Sequence, residues 1–407
     1  MIFFYQADEL RGLISTNHLQ ISQKLKQSLS NTLTLFYPLA GRIQDMYVVD
    51  CNDAASKFIE ARARIQLNDA LQEFINEQVK HLKPIPGPAL VVVKVTFFDC
   101  GGIAIGLCVS HKLADGPSIM SFLNAWAASC RGEAHEFPGL NLNLANIPAG
   151  NFSLPKLRSD DPKNIVTKRF VFDKEKLEAL KQAATSPSGS NVKNPTRVEV
   201  VSAFIWKHFI DVAKSENPEA KKTFAASHSV NLRGRTSPPL VLENIFDNCY
   251  MSMTAFTSTS DGEFHDLVTP LRSAIKKVNE DYITKARSGD NYLNDSSKFV
   301  SLAMNGELEF CFFISWCRYF VYEVGYGWGK PISFCNSAVP VKNIACLVDS
   351  RSGDGIEALI SMPQDEVEIL ESKIKPFTVP RRRSTPKLHD FFRFNCIFGP
   401  VFDTLIV

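Results

Sequence analysis

Residues 103–126 read Ile103-Ala-Ile-Gly-Leu-Cys-Val109, Ser110-His-Lys-Leu-Ala-Asp115, Gly116-Pro-Ser-Ile-Met-Ser-Phe-Leu-Asn-Ala-Trp126. Three local patterns follow one another there. The first is an apolar run rich in β-branched residues, which predicts a strand. The last repeats Ile119, Phe122, Leu123 and Trp126 at helical spacing and predicts a helix over about 117–130, with Pro117 suited to its first position and Asp115 or Gly116 to its cap. Between them stands His111. A strand-to-helix junction is rigid and points its side chains into a cleft, and imidazole is the side chain best suited to exchange a proton near neutral pH. A catalytic base and a simple corner both account for His111 at this point. Asp115 is accounted for by capping alone and reads as architectural.

Working outward, Leu90-Val-Val-Val-Lys-Val-Thr-Phe-Phe98 is apolar on both faces and is joined to residues 103–109 by Asp99-Cys-Gly-Gly102. Two such runs across a Gly-Gly turn predict a hairpin at the centre of a sheet. Apolar residues at 21, 25, 29, 33 and 36 mark one helix face, ended by Pro38 and Gly41, and residues 58–67 alternate as a strand with one wet face. Residues 131–167 carry Pro138, Pro148, Pro155 and Pro162 without periodicity and predict a crossover between two halves. A strand at 168–172 and a helix capped by Asp173 open the second half. Thr196-Arg-Val-Glu199 is a capping box for a long helix whose buried stripe is Val198, Val201, Ile205, Phe209 and Val212. Strands are expected at 222–232, 249–257, 332–339, 344–349 and 355–361, and helices near 263–280 and 364–373. The class is α/β or α+β in two domains, 1–140 and 168–373, about a linker at 141–167 and followed by a tail at 374–407.

Length and charge exclude several functions. The 407 residues suffice for two cores. Lys and Arg number 45 against 43 Asp and Glu, dispersed apart from Arg381-Arg-Arg383, so no electrostatic footprint for nucleic acid exists. No stretch approaches the length of apolar chain that spans a membrane, and the opening is too short in its apolar part for a signal peptide. The ten cysteines form no CxxC pair, zinc spacing or disulfide framework and read as core thiols of a reducing compartment. A cytoplasmic protein without a metal is expected. No GxGxxG, Walker loop or GxSxG occurs, which favours direct transfer at His111 over a covalent enzyme intermediate. Gly325-Tyr-Gly-Trp-Gly-Lys-Pro331 places Trp328 between glycines, as a functional loop or as a tight turn holding a hydrophobic plug.

Taken together, Tyr37-Pro-Leu-Ala-Gly-Arg42, Ser110-His-Lys-Leu-Ala-Asp-Gly116, Asn231-Leu-Arg233 with Pro238-Pro239, Tyr326-Gly-Trp-Gly-Lys-Pro331 and Asp349-Ser-Arg-Ser-Gly-Asp-Gly-Ile-Glu-Ala358 resemble, in order and spacing, the plant BAHD acyltransferases. The resemblance runs to about residue 373. Phe122-Leu-Asn-Ala-Trp126 with Cys130-Arg-Gly-Glu133, the run from Lys168 to Lys176, and Ser315-Trp-Cys-Arg318 look most like the alkaloid acetyltransferase branch. This implies a two-domain fold of the chloramphenicol acetyltransferase type, with mixed sheets, helices and a channel between the domains. It implies an O-acyltransferase that uses acyl-CoA as co-substrate, with acetyl-CoA the expected donor and a hydroxyl of an alkaloid or terpenoid the acceptor. His111 takes the acceptor's proton, the acceptor attacks the thioester, and a tetrahedral intermediate releases CoA.

No bound cofactor or metal, no nucleic acid and no membrane enter this expectation, and the enzyme is expected to be a monomer. The resemblance turns Asp115 away from the channel to pair with Arg233 or Arg235, and assigns Trp328, Gly327 and Gly329 to the oxyanion site or channel wall. Gly325 stands where the family has an aspartate, with Glu323 the available substitute. The family carries a further strand and helix ahead of the part matching Ile2–Tyr5, so the chain is expected to open inside a strand. The alternative functions are a non-catalytic relative that binds CoA or another small ligand, and an N-acyltransferase.

Overall fold

The computed structural model describes residues 1–6, 18–45, 48–72, 81–85, 87–133, 141, 164–185, 192–216, 222–237, 245–258, 262–287, 292–336, 341–374 and 402–406. In chain order the elements begin with β1 (Ile2–Tyr5), α1 (His18–Leu35), β2 (Arg42–Ile43), β3 (Val49–Asp50), β4 (Ser56–Ala63) and α2 (Leu67–Gln72). The hairpin β5 (Val91–Phe98) and β6 (Ile103–Val109) leads to α3 (Gly116–Arg131). The second half holds β7 (Ile165–Phe172), α4 (Lys174–Ala184), α5 (Arg197–Glu216), β8 (Thr223–Asn231), β9 (Tyr250–Thr257), α6 (Phe264–Lys276), α7 (Glu280–Arg287) and α8 (Tyr292–Met304). It continues with β10 (Leu308–Ser315), β11 (Ser333–Cys335), β12 (Ile344–Asp349), β13 (Ile356–Pro363) and α9 (Gln364–Ile374), and a last strand is β14 (Phe402–Ile406). The expected crossover at 141–167 falls almost wholly outside the described residues, as does the tail apart from β14.

Twelve of these strands form two six-stranded mixed sheets, ordered β11-β1-β6-β5-β4-β14 and β7-β13-β12-β10-β8-β9, and β2 pairs with β3 alone. The β5–β6 hairpin lies at the centre of the first, Val93 opposite Leu107, as two-sided hydrophobicity requires. One expectation needs correction. The strand foreseen at 332–339 shrinks to β11 and joins the first sheet, not the second, with Phe334 opposite Phe3. It covers an edge of β1 that would otherwise be left unpaired, and its Phe334 ring packs 5.1 Å from that of Phe3. β14 covers the opposite edge along β4. β10, absent from the expected strands, is central and runs parallel to both β8 and β12. Its run from Phe310 to Ile314 is apolar on both faces, the pattern of a parallel strand covered on both sides.

Alternation sorts the second sheet's side chains into two cores. Ala345, Leu347, Ala358 and Ile360 pack with residues of α4, α5, α6 and α9. Their neighbours Cys346, Val348 and Leu359 face the other way, into a core with Phe3, Tyr5, Leu25, Trp126 and Trp328 of the first sheet's surroundings. One of these two cores is therefore built from both halves. The capping box opens α5 as expected, Thr196 N donating to Glu199 Oε2 at 2.7 Å and Glu199 N to Thr196 Oγ1 at 3.2 Å. Among the described residues no helix is long and apolar enough to cross a membrane.

Candidate active site

β6 ends at Val109, where Ser110 N donates to Leu90 O at 2.9 Å and fixes the end of the hairpin. Leu113 N then returns to Ser110 O at 3.1 Å, closing a turn that carries His111. The imidazole is exposed, and no described residue is hydrogen-bonded to it. The second half holds the turn from across the interface. Asn248 Nδ2 donates to His111 O at 2.8 Å, and the Tyr250 ring meets the imidazole edge-on with centroids 6.3 Å apart.

Asp115 caps α3 by accepting from Ser118 N at 3.1 Å. It is buried against Arg233, whose Nη1 donates to Oδ2 at 2.7 Å and Nη2 to Oδ1 at 3.1 Å. Cys249 N adds a third donor at 2.9 Å. Arg233 in turn reaches Ser118 Oγ and the carbonyls of Ile245 and Asp247, so the guanidinium is saturated by both halves of the protein. Ser118 Oγ also bonds Asp247 N and O at 3.0 and 2.9 Å. A bidentate pair with every remaining donor and acceptor satisfied is the arrangement in which a buried ion pair holds a geometry. Its effect is to fix the start of α3, and with it the His111 turn, against the entry to β9.

A third contact comes from loop 316–320. A Cβ at Gly116 would stand 3.2 Å from Trp316 Cε2 and from Tyr319 Cε2, so glycine lets the first turn of α3 press against these rings. Arg318 and Phe320 adopt left-handed backbone, with φ of 69° and 52°. Asp349 holds that loop, accepting from Arg318 N at 2.5 Å and from Arg197 Nη2 at 2.8 Å. Burial pushes the Tyr319 hydroxyl up to about 12 and the thiols of Cys249 and Cys317 up to about 11. Neither thiol therefore offers a thiolate near neutrality. Burial, with Asp115 adding to it, also raises the Asp247 carboxyl above the usual carboxylate range. Among the described residues no group of three or more His, Cys, Asp or Glu could hold a metal ion.

A family model described as the Transferase family matches residues 1–376. The chain is 41% identical over 378 residues to stemmadenine O-acetyltransferase of Catharanthus roseus, covering 87% of this chain and 84% of that protein. It is 42% identical over 364 residues to vinorine synthase of Rauvolfia serpentina, covering 86% and 83%. The chain belongs to the BAHD acyl-CoA-dependent acyltransferases. The crystal structure of vinorine synthase superposes with a TM-score of 0.77 at 39% identity, over 93% of this chain and 89% of that one. Fusarium sporotrichioides TRI101, solved with coenzyme A and T-2, shares the fold, with a TM-score of 0.71 at 16% identity over 91% and 92%. This BAHD chain is thus an enzyme whose co-substrate is acyl-CoA, on the fold of mixed sheets and helices that the resemblance implied.

Within this BAHD fold the anticipated site residues divide. His111, Asp115 and Arg233 come together. Arg235 does not join them: its Nη1 donates to Val278 O at 2.8 Å and reaches Ile275 O, the carbonyls at the end of α6. Two positions along a turn, it points to the other side. Trp328, Gly327 and Gly329 are likewise not beside His111. Arg131, the last residue of α3, donates to Gly325 O, and a Cβ at Gly327 would stand 3.6 Å from the Arg131 side chain. The sixteen residues of α3 separate this loop from the histidine turn by about 24 Å. Trp328 is a buried plug stacked on Tyr326. Glu323 does not replace the missing aspartate, because it pairs with Lys330. Sequence reading missed Asn248, Cys249 and Tyr250. Their one signal was their position at the start of the strand expected at 249–257, which does not say that the strand starts against His111.

Proposed function

We propose that this enzyme transfers an acetyl group from acetyl-CoA to a hydroxyl of an alkaloid or terpenoid, with His111 as the general base. The observation that carries the reading is the imidazole itself. It is exposed, bonded to no described side chain, and fixed in place by backbone and ring contacts from both halves. The substrate class is supported by stemmadenine O-acetyltransferase and, for terpenoids, by the limonoid O-acetyltransferases of Citrus sinensis, 31% and 32% identical. A ring nitrogen accepts the acceptor's O–H proton as the oxygen bonds to the thioester carbon. The tetrahedral oxyanion then collapses, the C–S bond breaks, and the imidazolium returns the proton to the leaving thiolate, giving ester and CoA-SH. Asp115 and Arg233 position the base and do not exchange the proton.

The test is thiol release from acetyl-CoA in the presence of stemmadenine and of terpenoid alcohols. His111→Ala is expected to lower kcat by roughly 10²- to 10⁴-fold with little change in CoA affinity. Activity within a few-fold of the parent overturns the assignment. The same reading takes the enzyme as a cytoplasmic monomer. The nine described cysteines are all free, as thiols are in a reducing compartment, and light scattering checks the monomer.

A further inference from the structure

The sheet face that looks toward His111 carries more than Tyr250. β8 and β9 pair antiparallel, with Asn231 opposite Tyr250, Ser229 opposite Ser252, Ser227 opposite Thr254 and Ala225 opposite Phe256. With a period of two, these four rungs share one face, while the intervening Phe224 and Ala226 belong to the core on the other. The first rung adjoins the base through Tyr250. The third is closed on itself, Ser227 Oγ and Thr254 Oγ1 standing 3.1 Å apart with Ser227 buried. The fourth is apolar and lies in a cluster with Phe299, Phe310 and Phe312 beneath α8. The second rung is different. Ser252 is exposed and Ser229 half-buried, and neither hydroxyl is hydrogen-bonded to a described residue.

Two facing hydroxyls, each able to donate and to accept, form a recognition pair with Cβ atoms about 5 Å apart. They stand two residues, about 7 Å, along the strand from the rung that touches His111. The row runs into the apolar cluster under α8. A CoA arm must carry its polar nucleotide out to solvent, so a row that leads to apolar side chains suits the acceptor rather than the thioester. We infer that Ser229 and Ser252 bind a second oxygen of the acceptor, set about 7 Å from the hydroxyl that is acetylated. The enzyme then selects alcohols on an apolar frame that also bear a hydroxyl, carbonyl or ester at that distance. This inference rests on His111 marking the reacting end of the acceptor.

Calorimetric titration separates the two claims. A rigid terpenoid diol with its two oxygens about 7 Å apart, the matching mono-alcohol and CoA are each titrated into the parent, Ser229→Ala, Ser252→Ala, the double variant and Ser252→Thr, with and without His111→Ala. Each lost hydroxyl is expected to raise the diol Kd by about 3- to 10-fold and to leave the mono-alcohol Kd unchanged. CoA affinity should hold within twofold, and Ser252→Thr should retain the parent's affinity. The same ratios should appear in the His111→Ala background. An unchanged diol Kd, a weakened CoA Kd instead, or no saturable diol binding overturns the inference. Normal binding without thiol release overturns the role of His111 and leaves the serine comparison readable.

Discussion

Arg233 is the residue on which most of the interface geometry converges, since its guanidinium joins Asp115 and Ser118 of one half to Ile245 and Asp247 of the other. Arg233→Ala should remove about 3–5 kcal/mol of stability by denaturant unfolding, because it strands a buried carboxylate, and should lower turnover with it. Asp115→Asn keeps the cap and loses the charge, so it should be more stable than Asp115→Ala by about 1 kcal/mol. Equal midpoints for those two would remove the capping part of the account. His228 offers a different residue-scale test. It is buried on β8 against Phe313, with rings 4.8 Å apart, and burial lowers it to about 4. The unfolded chain takes up this proton near 6.5 and the folded one only near 4, so stability present above pH 6.5 is lost as pH falls toward 4. The loss approaches roughly 3 kcal/mol. His228→Phe should flatten that part of the stability profile, and an unchanged profile would show that His228 does not shape it.

At the scale of elements, α3 acts as a strut with a different loop at each end. Its first turn meets His111 and Arg233, and its last residue, Arg131, holds Gly325 O while pairing with Glu133. Arg131 is thus already occupied, and a carboxylate at position 325 has no stranded cation to meet. A Cβ at Gly325 would also stand 3.0 Å from Gly329 O. Gly325→Asp should therefore lower the melting temperature by a few degrees rather than raise it. A rise would show that a cation does await the aspartate absent at 325. The hairpin, α3 and the capping box of α5 were legible in the sequence because their signals lie within a few residues of one another. β11 was not legible in its place, since three residues carry little pattern and its partner Phe3 lies at the other end of the chain. Arg233 and Arg235 could not be told apart, because only the turn between β8 and β9 decides which one faces Asp115. The Trp328 loop was recognisable as unusual, but nothing local reveals that a whole helix stands between it and His111.

Over the whole molecule, the buried cluster built from both halves should couple their unfolding. Trp126 and Leu25 from one half, and Val348 and Leu359 from the other, belong to the same buried cluster. Scanning calorimetry should show one main unfolding transition rather than two, and residues 164–374 made alone should bind a hydrophobic dye through the face that this core normally covers. Two resolved transitions of comparable enthalpy would contradict the coupling. β11 carries the coupling further, into the order of biosynthesis. Phe3 emerges from the ribosome early, yet its partner Phe334 is made only after most of the second half. At about 5–20 residues per second, that wait is on the order of 15 to 70 s. During it, the outer edge of β1 has no strand to pair with and invites other chains or a chaperone. Yield of this enzyme in a foreign host should therefore depend on translation speed and chaperone supply more than its equilibrium stability suggests.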